Sequence, residues 1–268
     1  MTTSLLRPTG ATAASDVRRA PLLPELVVVA LLLFAYDRVR SLAHPRVGPA
    51  LSHGEDLLRW EQDLHIAVER TANTWLHAHA GVQWLAGLWY QSAHITVSMA
   101  LLGWLWWRHP ARYRGARNSL VIINLIGLVV FTLLPVMPPR LLPGGRFIDA
   151  VEASGMGSAP VGPVPSDQYA AMPSLHLAWA TWVAFYGSLI AGAVAGRWLW
   201  RIYPFVTAAV VVATANHYVL DVAAGVVVAA LSLPAGIRLA ASMALSNELA
   251  MARRAPLSGQ LVRGSDGA

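Results

Sequence analysis

Six long, largely apolar runs constrain this chain more than any other feature it carries. They cover residues 24–41, 81–107, 118–135, 174–195, 198–216 and 218–245. About 17 to 25 such residues let a helix cross a bilayer. Residues of the AVILMFWYC set make up 56% of the 268-residue chain and charged residues 13%, where an average soluble domain carries about 25% charged residues. Mean hydropathy is +0.49. A chain this short has no aqueous core large enough to hide that much apolar surface, so its solvent is read as lipid. The predicted fold is an all-α integral membrane protein, one six-helix bundle spanning residues 22–245. Polar tails at 1–21 and 246–268 flank it, both read as cytoplasmic and the first as disordered. A cleaved signal peptide is not expected, because the first apolar run starts late and basic residues follow it. Pro234 inside the last run predicts a kink.

Charge orients the runs. The chain has no lysine and no cysteine, and its twenty basic residues are all arginine. Schiff-base lysines, Walker-type loops, disulfides and thiolate chemistry are therefore excluded. The net charge of +6 does not point to nucleic acid, because the arginines lie between apolar runs. Arg108, Arg112, Arg114 and Arg117 separate the second and third runs, and Arg197 and Arg201 the fourth and fifth. Arg7, Arg18 and Arg19 precede the first run, and Arg253, Arg254 and Arg263 follow the last. The positive-inside rule puts all of these, and both termini, in the cytoplasm. The opposite side receives residues 37–80, 138–173 and the turn near His217. Within 37–80, Leu57, Leu58, Trp60, Leu64, Ile66 and Ala67 suit helices lying in the interface. Trp104, Trp106 and Trp107 suit an aromatic belt. All-arginine usage with abundant Ala, Val and Gly is a compositional association with GC-rich bacterial genomes, and the expected location is accordingly a bacterial plasma membrane, crossed several times.

The unusual polar residues gather at the outer ends of the runs. His217 and Asp221 are four apart, on one face of a helix, so the carboxylate can orient the imidazole and leave its second nitrogen as nucleophile or base. A polar pair bracing helices would look the same. Met172-Pro173-Ser174-Leu175-His176 opens the fourth run, offering free backbone N–H groups, a hydroxyl and an imidazole to an anion. A helix cap followed by a buried histidine is the plain alternative. Arg140, leaving the third run, has a planar fork suited to phosphate oxygens, and Arg146 is a second candidate. Either could instead be a cation reaching lipid headgroups. Tyr90 with His94, Arg40 four residues after Tyr36, and Glu61 are further polar residues on the outer side, each readable as an interface anchor or a bracing contact. Together, in chain order, these groups could neutralise phosphate oxygens, attack phosphorus and protonate a leaving oxygen.

That order resembles the type 2 phosphatidic acid phosphatase superfamily, whose signatures are KxxxxxxRP, PSGH and SRxxxxxHxxxD. The phrases AAMPSLH (170–176), TANHYVLD (214–221) and PPRLLPG (138–144), with the YxxxR of Tyr36 and Arg40 and the YxxxH of Tyr90 and His94, are similar to its inositol phosphorylceramide synthase branch. The resemblance runs over roughly residues 25–235. It implies a six-helix membrane enzyme that needs neither metal nor cofactor and acts on a lipid phosphate or phosphodiester at the outer leaflet. It implies that His217 forms a phosphohistidine oriented by Asp221 and that His176 protonates the leaving alcohol. Arg140 and Ser174 would hold the phosphate, helped by Arg146, Arg40 or His94. Three positions depart from the signatures: the lysine is absent, Leu175 stands for the glycine of PSGH, and Val211 stands for the arginine six residues before the nucleophile. Phosphatase and phosphotransferase both fit this reading, with transfer favoured by the synthase-like phrases. A transporter or channel using His176, His217 and Asp221 as a polar relay is the reading from another class, and a structural or assembly subunit is a third.

Overall fold

The computed structural model describes residues 19–25, 27, 28, 31, 34, 46–156 and 169–254. Most of the first predicted span, Tyr36, Arg40, most of both tails and residues 157–168 lie outside the described residues. Among the described residues the chain is all-helical, with no strand. Among the described residues, helical positions at 22–25, 27, 28, 31 and 34 come first, followed by α1 (Val47–Asp63) and α2 (Glu69–His77). A continuous rod follows, made of α3 (Ala80–Leu88), a π-helical turn (Trp89–Ala93) and α4 (His94–Arg108). Then come α5 (Pro110–Leu133), α6 (Leu175–Ile190), α7 (Val194–Ala213) and α8 (Val219–Arg254).

Two of these, α5 and α8, are long and apolar enough to cross a membrane, and α6 is a shorter apolar helix. Residues with no water-facing rationale cover the outside of the bundle: Leu133, Leu199 and Phe205 are each more than 70% exposed. An apolar surface of that kind suits hydrocarbon rather than water. Inside, Leu105, Ile123, Trp182, Tyr186 and Ala229 form the main core. Trp182 donates its indole N–H to the Ala116 carbonyl at 3.0 Å, so the largest buried ring keeps its polar atom satisfied.

Helix boundaries differ from the predicted runs where charge interrupts hydropathy. α5 begins at Pro110, not near 118, so Arg112, Arg114 and Arg117 stand in its first turns instead of a loop. Proline suits the first helical position and arginine is a good helix former. α7 likewise takes in Arg197 and Arg201. α8 continues past residue 245 to Arg254, so the start of the expected tail is helical, and it runs unbroken through Pro234.

Chain direction then sorts the helix ends. The starts of α4, α6 and α8 and the ends of α5 and α7 share one side. There α1, the segment after α5 and residues 169–172 form a second cluster around Tyr218, Val136, Met137, Ala50 and Leu57. Val136 and Ala170 form a backbone bridge: the Val136 N–H donates to Tyr169 at 2.7 Å and the Ala171 N–H to Val136 at 3.2 Å. At the other side, Arg108 lies over Trp104 and Trp107, and Arg201 over Trp198.

Candidate active site

The bridge lays residues 169–173 beside the turn between α7 and α8, and that placement decides the environment of His217. Its Nδ1 is 2.8 Å from the Ala171 carbonyl oxygen. A carbonyl only accepts, so Nδ1 carries the proton and Nε2 keeps its lone pair. Asp221, expected from spacing to orient the ring alone, lies 3.5 Å from the same nitrogen. Its nearer partner is the Tyr218 N–H, at 2.9 Å from Oδ2. The carboxylate therefore caps its own helix and faces the imidazole, while a loop carbonyl holds the tautomer.

His217 Nε2 meets His176 Nδ1 at 3.3 Å. His176 is one residue inside α6, and the start of that helix is locked to α8. The Ser174 N–H donates to the Asp221 carbonyl at 3.0 Å, and Gly225 one turn later lies against the Ser174 carbonyl, where a side chain would collide. Tyr90 stacks on the His176 ring at 4.5 Å between centroids, and His94 meets its edge at 4.3 Å. Tyr90 belongs to the π-helical turn that directly precedes His94. Such turns re-aim side chains and recur at functional sites. His94, His176 and His217 thus form one row of rings.

Arg140 arrives from the segment after α5. Its Nε donates to Asn216 Oδ1 and its Nη1 to Asp149 Oδ2, each at 2.8 Å, and its backbone N–H donates to Ala215 at 2.9 Å. Asp149 also accepts from the Val151 and Glu152 N–H groups, so the anchor is itself fixed. The Asp149 carboxylate offsets part of the arginine charge and aims the guanidinium at a cavity of about 610 Å³. Arg140, Asn216, His217, His176, His94 and Tyr90 line one end of that cavity. The rest is an apolar trough along α5, past Phe131, Leu128, Leu125 and Val121, ending at Arg117. Arg117 is paired there with Glu25 at 2.5 Å.

Other expected residues are placed differently. Ser174 is fully buried, does not line the cavity, and uses Oγ to cap α6 at the Leu177 N–H. Arg146 is half exposed, 3.8 Å from Glu55, and away from the cavity. Arg40 lies outside the described residues. Leu175, standing where the signature has glycine, packs into the space left by Gly127 on α5, where a Cβ would meet it at 2.7 Å. Val211, standing where the signature has arginine, is buried, and its carbonyl accepts the N–H groups of Asn216 and His217. Asp149, Asn216 and Ala171 were not singled out from sequence. Asn216 adjoins His217 and sits inside a motif phrase, whereas nothing local marks Asp149. Among the described residues no group of three or more His, Asp or Glu side chains is arranged to hold a metal ion.

A buried imidazole row and an anchored guanidinium thus share one end of a single cavity. The profile of the PAP2 superfamily matches residues 55–235, and the chain belongs to that superfamily. Membership makes it a phosphatase-type enzyme that acts on phosphate esters. No curated protein and no solved structure matches the chain significantly.

Proposed function

We propose that this chain is an integral membrane enzyme that cleaves or transfers a lipid phosphate ester through a phosphohistidine on His217, nearest in kind to the inositol phosphorylceramide synthase-like branch. One observation carries the reading: a single cavity has His94, His176, His217 and Arg140 at its head and an apolar trough behind them. A phosphate fits the first and a hydrocarbon chain the second.

The chemistry follows from the atoms. An arriving phosphoryl group replaces His176 as the neighbour of His217 Nε2, and Arg140 and His94 take its oxygens. Nε2 attacks phosphorus as the bond to the lipid oxygen breaks, and His176 in its charged form gives that oxygen a proton. The phosphorylated imidazole is cationic, and the Ala171 carbonyl and Asp221 carboxylate stabilise it. Water or an alcohol, deprotonated by the now neutral His176, then attacks phosphorus, and the N–P electron pair returns to the ring. Water gives a phosphatase and an alcohol a phosphotransferase; the synthase-like phrases favour transfer.

Six spans, both termini in the cytoplasm and a site facing outward from a bacterial plasma membrane complete the proposal, with residues 22–245 as one catalytic unit. The arginine-on-tryptophan contacts at the ends opposite the site support that orientation, as does the positive-inside rule. The test is a panel of lipid phosphates and phosphodiesters with purified protein, free phosphate and transfer products being detected separately. Wild-type protein turns over at least one substrate, His217→Ala turns over none while remaining folded, and a chelator changes nothing. Activity retained in His217→Asn would overturn the covalent route.

A further inference from the structure

The first turn of α8 is capped in an unusual way. The free N–H groups of a helix start are ordinarily met by a nearby side chain or water. Here Tyr218 N–H reaches Asp221 Oδ2 at 2.9 Å, Val219 N–H reaches Glu69 Oε1 at 3.0 Å, and Leu220 N–H reaches Glu61 Oε1 at 2.7 Å. The second and third acceptors come from α2 and α1, some 150 residues away in the chain. Both glutamates are fully buried. Burying carboxylates is costly, and a serine or asparagine cap would satisfy the same donors.

What the costly arrangement adds is register. His217 immediately precedes these donors, in a turn where Ala215 has φ +56°, a left-handed conformation unfavourable for a residue with a side chain. The second oxygens, Glu61 Oε2 and Glu69 Oε2, are buried without another hydrogen-bond partner. Glu61 and Glu69 also interact with each other. Burial first, then Glu69 and Asp221, pushes Glu61 up to about 9.

We infer that Glu61 and Glu69 are positioning residues for His217, a carboxyl clasp that fixes the first turn of α8 against α1 and α2 and so holds the imidazole on the Ala171 carbonyl. The inference rests on His217 being the reactive group, as proposed above.

The test reads His217 directly. Full-length protein labelled with ¹⁵N-histidine is placed in detergent micelles, and the His217 signal is assigned by its loss in His217→Asn. Wild type gives the Nδ1–H tautomer. Glu61→Gln keeps an acceptor for Leu220. It leaves that signal unchanged and keeps kcat on dioleoylphosphatidic acid within about two-fold, as a retained supporting contact should. Glu61→Leu and Glu69→Leu keep volume without an acceptor. They give mixed tautomers and lower kcat about 10-fold or more with little change in KM. An unaltered His217 signal in folded Glu61→Leu, or a lost signal in Glu61→Gln, overturns the clasp. The tautomer readout needs no turnover, so an active His217→Asn would sink the catalytic reading while leaving the clasp result standing.

Discussion

His217 and His176 show how one lone pair and one proton divide the work of a site. The 2.8 Å contact to Ala171 leaves Nε2, the reactive nitrogen of the proposed mechanism, with its lone pair, and His176 at 3.3 Å is the only imidazole with a nitrogen placed on it among the described contacts. If His176 is the acid, His176→Ala slows esters with poor leaving groups most, by about 10²-fold or more, and activated aryl phosphates least. A flat response across leaving groups in a steady-state assay would remove that role. At this scale the sequence named many of the residues that line the candidate cavity. His176, His217, Arg140, Tyr90 and His94 all line the cavity; the first three stood at ends of apolar runs, and Tyr90 and His94 in the outer half of the second. Ser174 and Arg146 stood in similar places and do not line it, because spacing along a chain does not say which way a side chain turns. Asp149 was illegible for a related reason: its partner Arg140 is nine residues away across an irregular segment with no period to read.

At the level of elements, the site depends on α6 and α8 meeting closely at their starts. Gly225→Ala puts a methyl group into the Ser174 carbonyl, and overpacking of that kind costs about 1–3 kcal/mol. Thermal unfolding in detergent should register the loss, together with lower turnover as His176 and His217 separate. The clasp gives a pH signature. Glu61 keeps its proton to about 9 in the folded chain and releases it near 4.5 when unfolded. The unfolded state therefore binds fewer protons in between, and stability falls as pH rises across that window. The contribution is full below pH 4.5 and gone above about 9. Glu61→Gln removes this titration, so the decline in melting temperature over the same window becomes shallower; an unchanged slope would show that Glu61 does not titrate there. Nothing in the sequence joins Glu61 to α8. Read locally it was an interface anchor or a bracing contact, and the packing of α1 over α8 makes it the second, a cap on α8.

For the whole molecule, the question is which side of a membrane the site faces. The absence of cysteine makes the chain a clean background for labelling. Gln62→Cys, exposed at the end of α1 on the site side, should react with an impermeant maleimide on intact cells. Gly192→Cys, exposed between α6 and α7 on the arginine side, should react only after permeabilisation. The reverse pattern would invert the orientation, and labelling of both from outside would argue against a bilayer between them.

Apolar length, arginine placement and the ordered His, Arg and Asp motifs were enough to establish an all-helical chain and a superfamily, because helix period and short motifs are local properties. Which polar groups meet was decided by tertiary structure alone. The row of three imidazoles, the Asp149 and Asn216 anchors on Arg140, the Ala171 carbonyl that sets the tautomer and the two glutamates on α8 all join segments far apart in the chain. Their contacts follow from how the helices pack, and packing geometry is not written in the order of residues along any one of them.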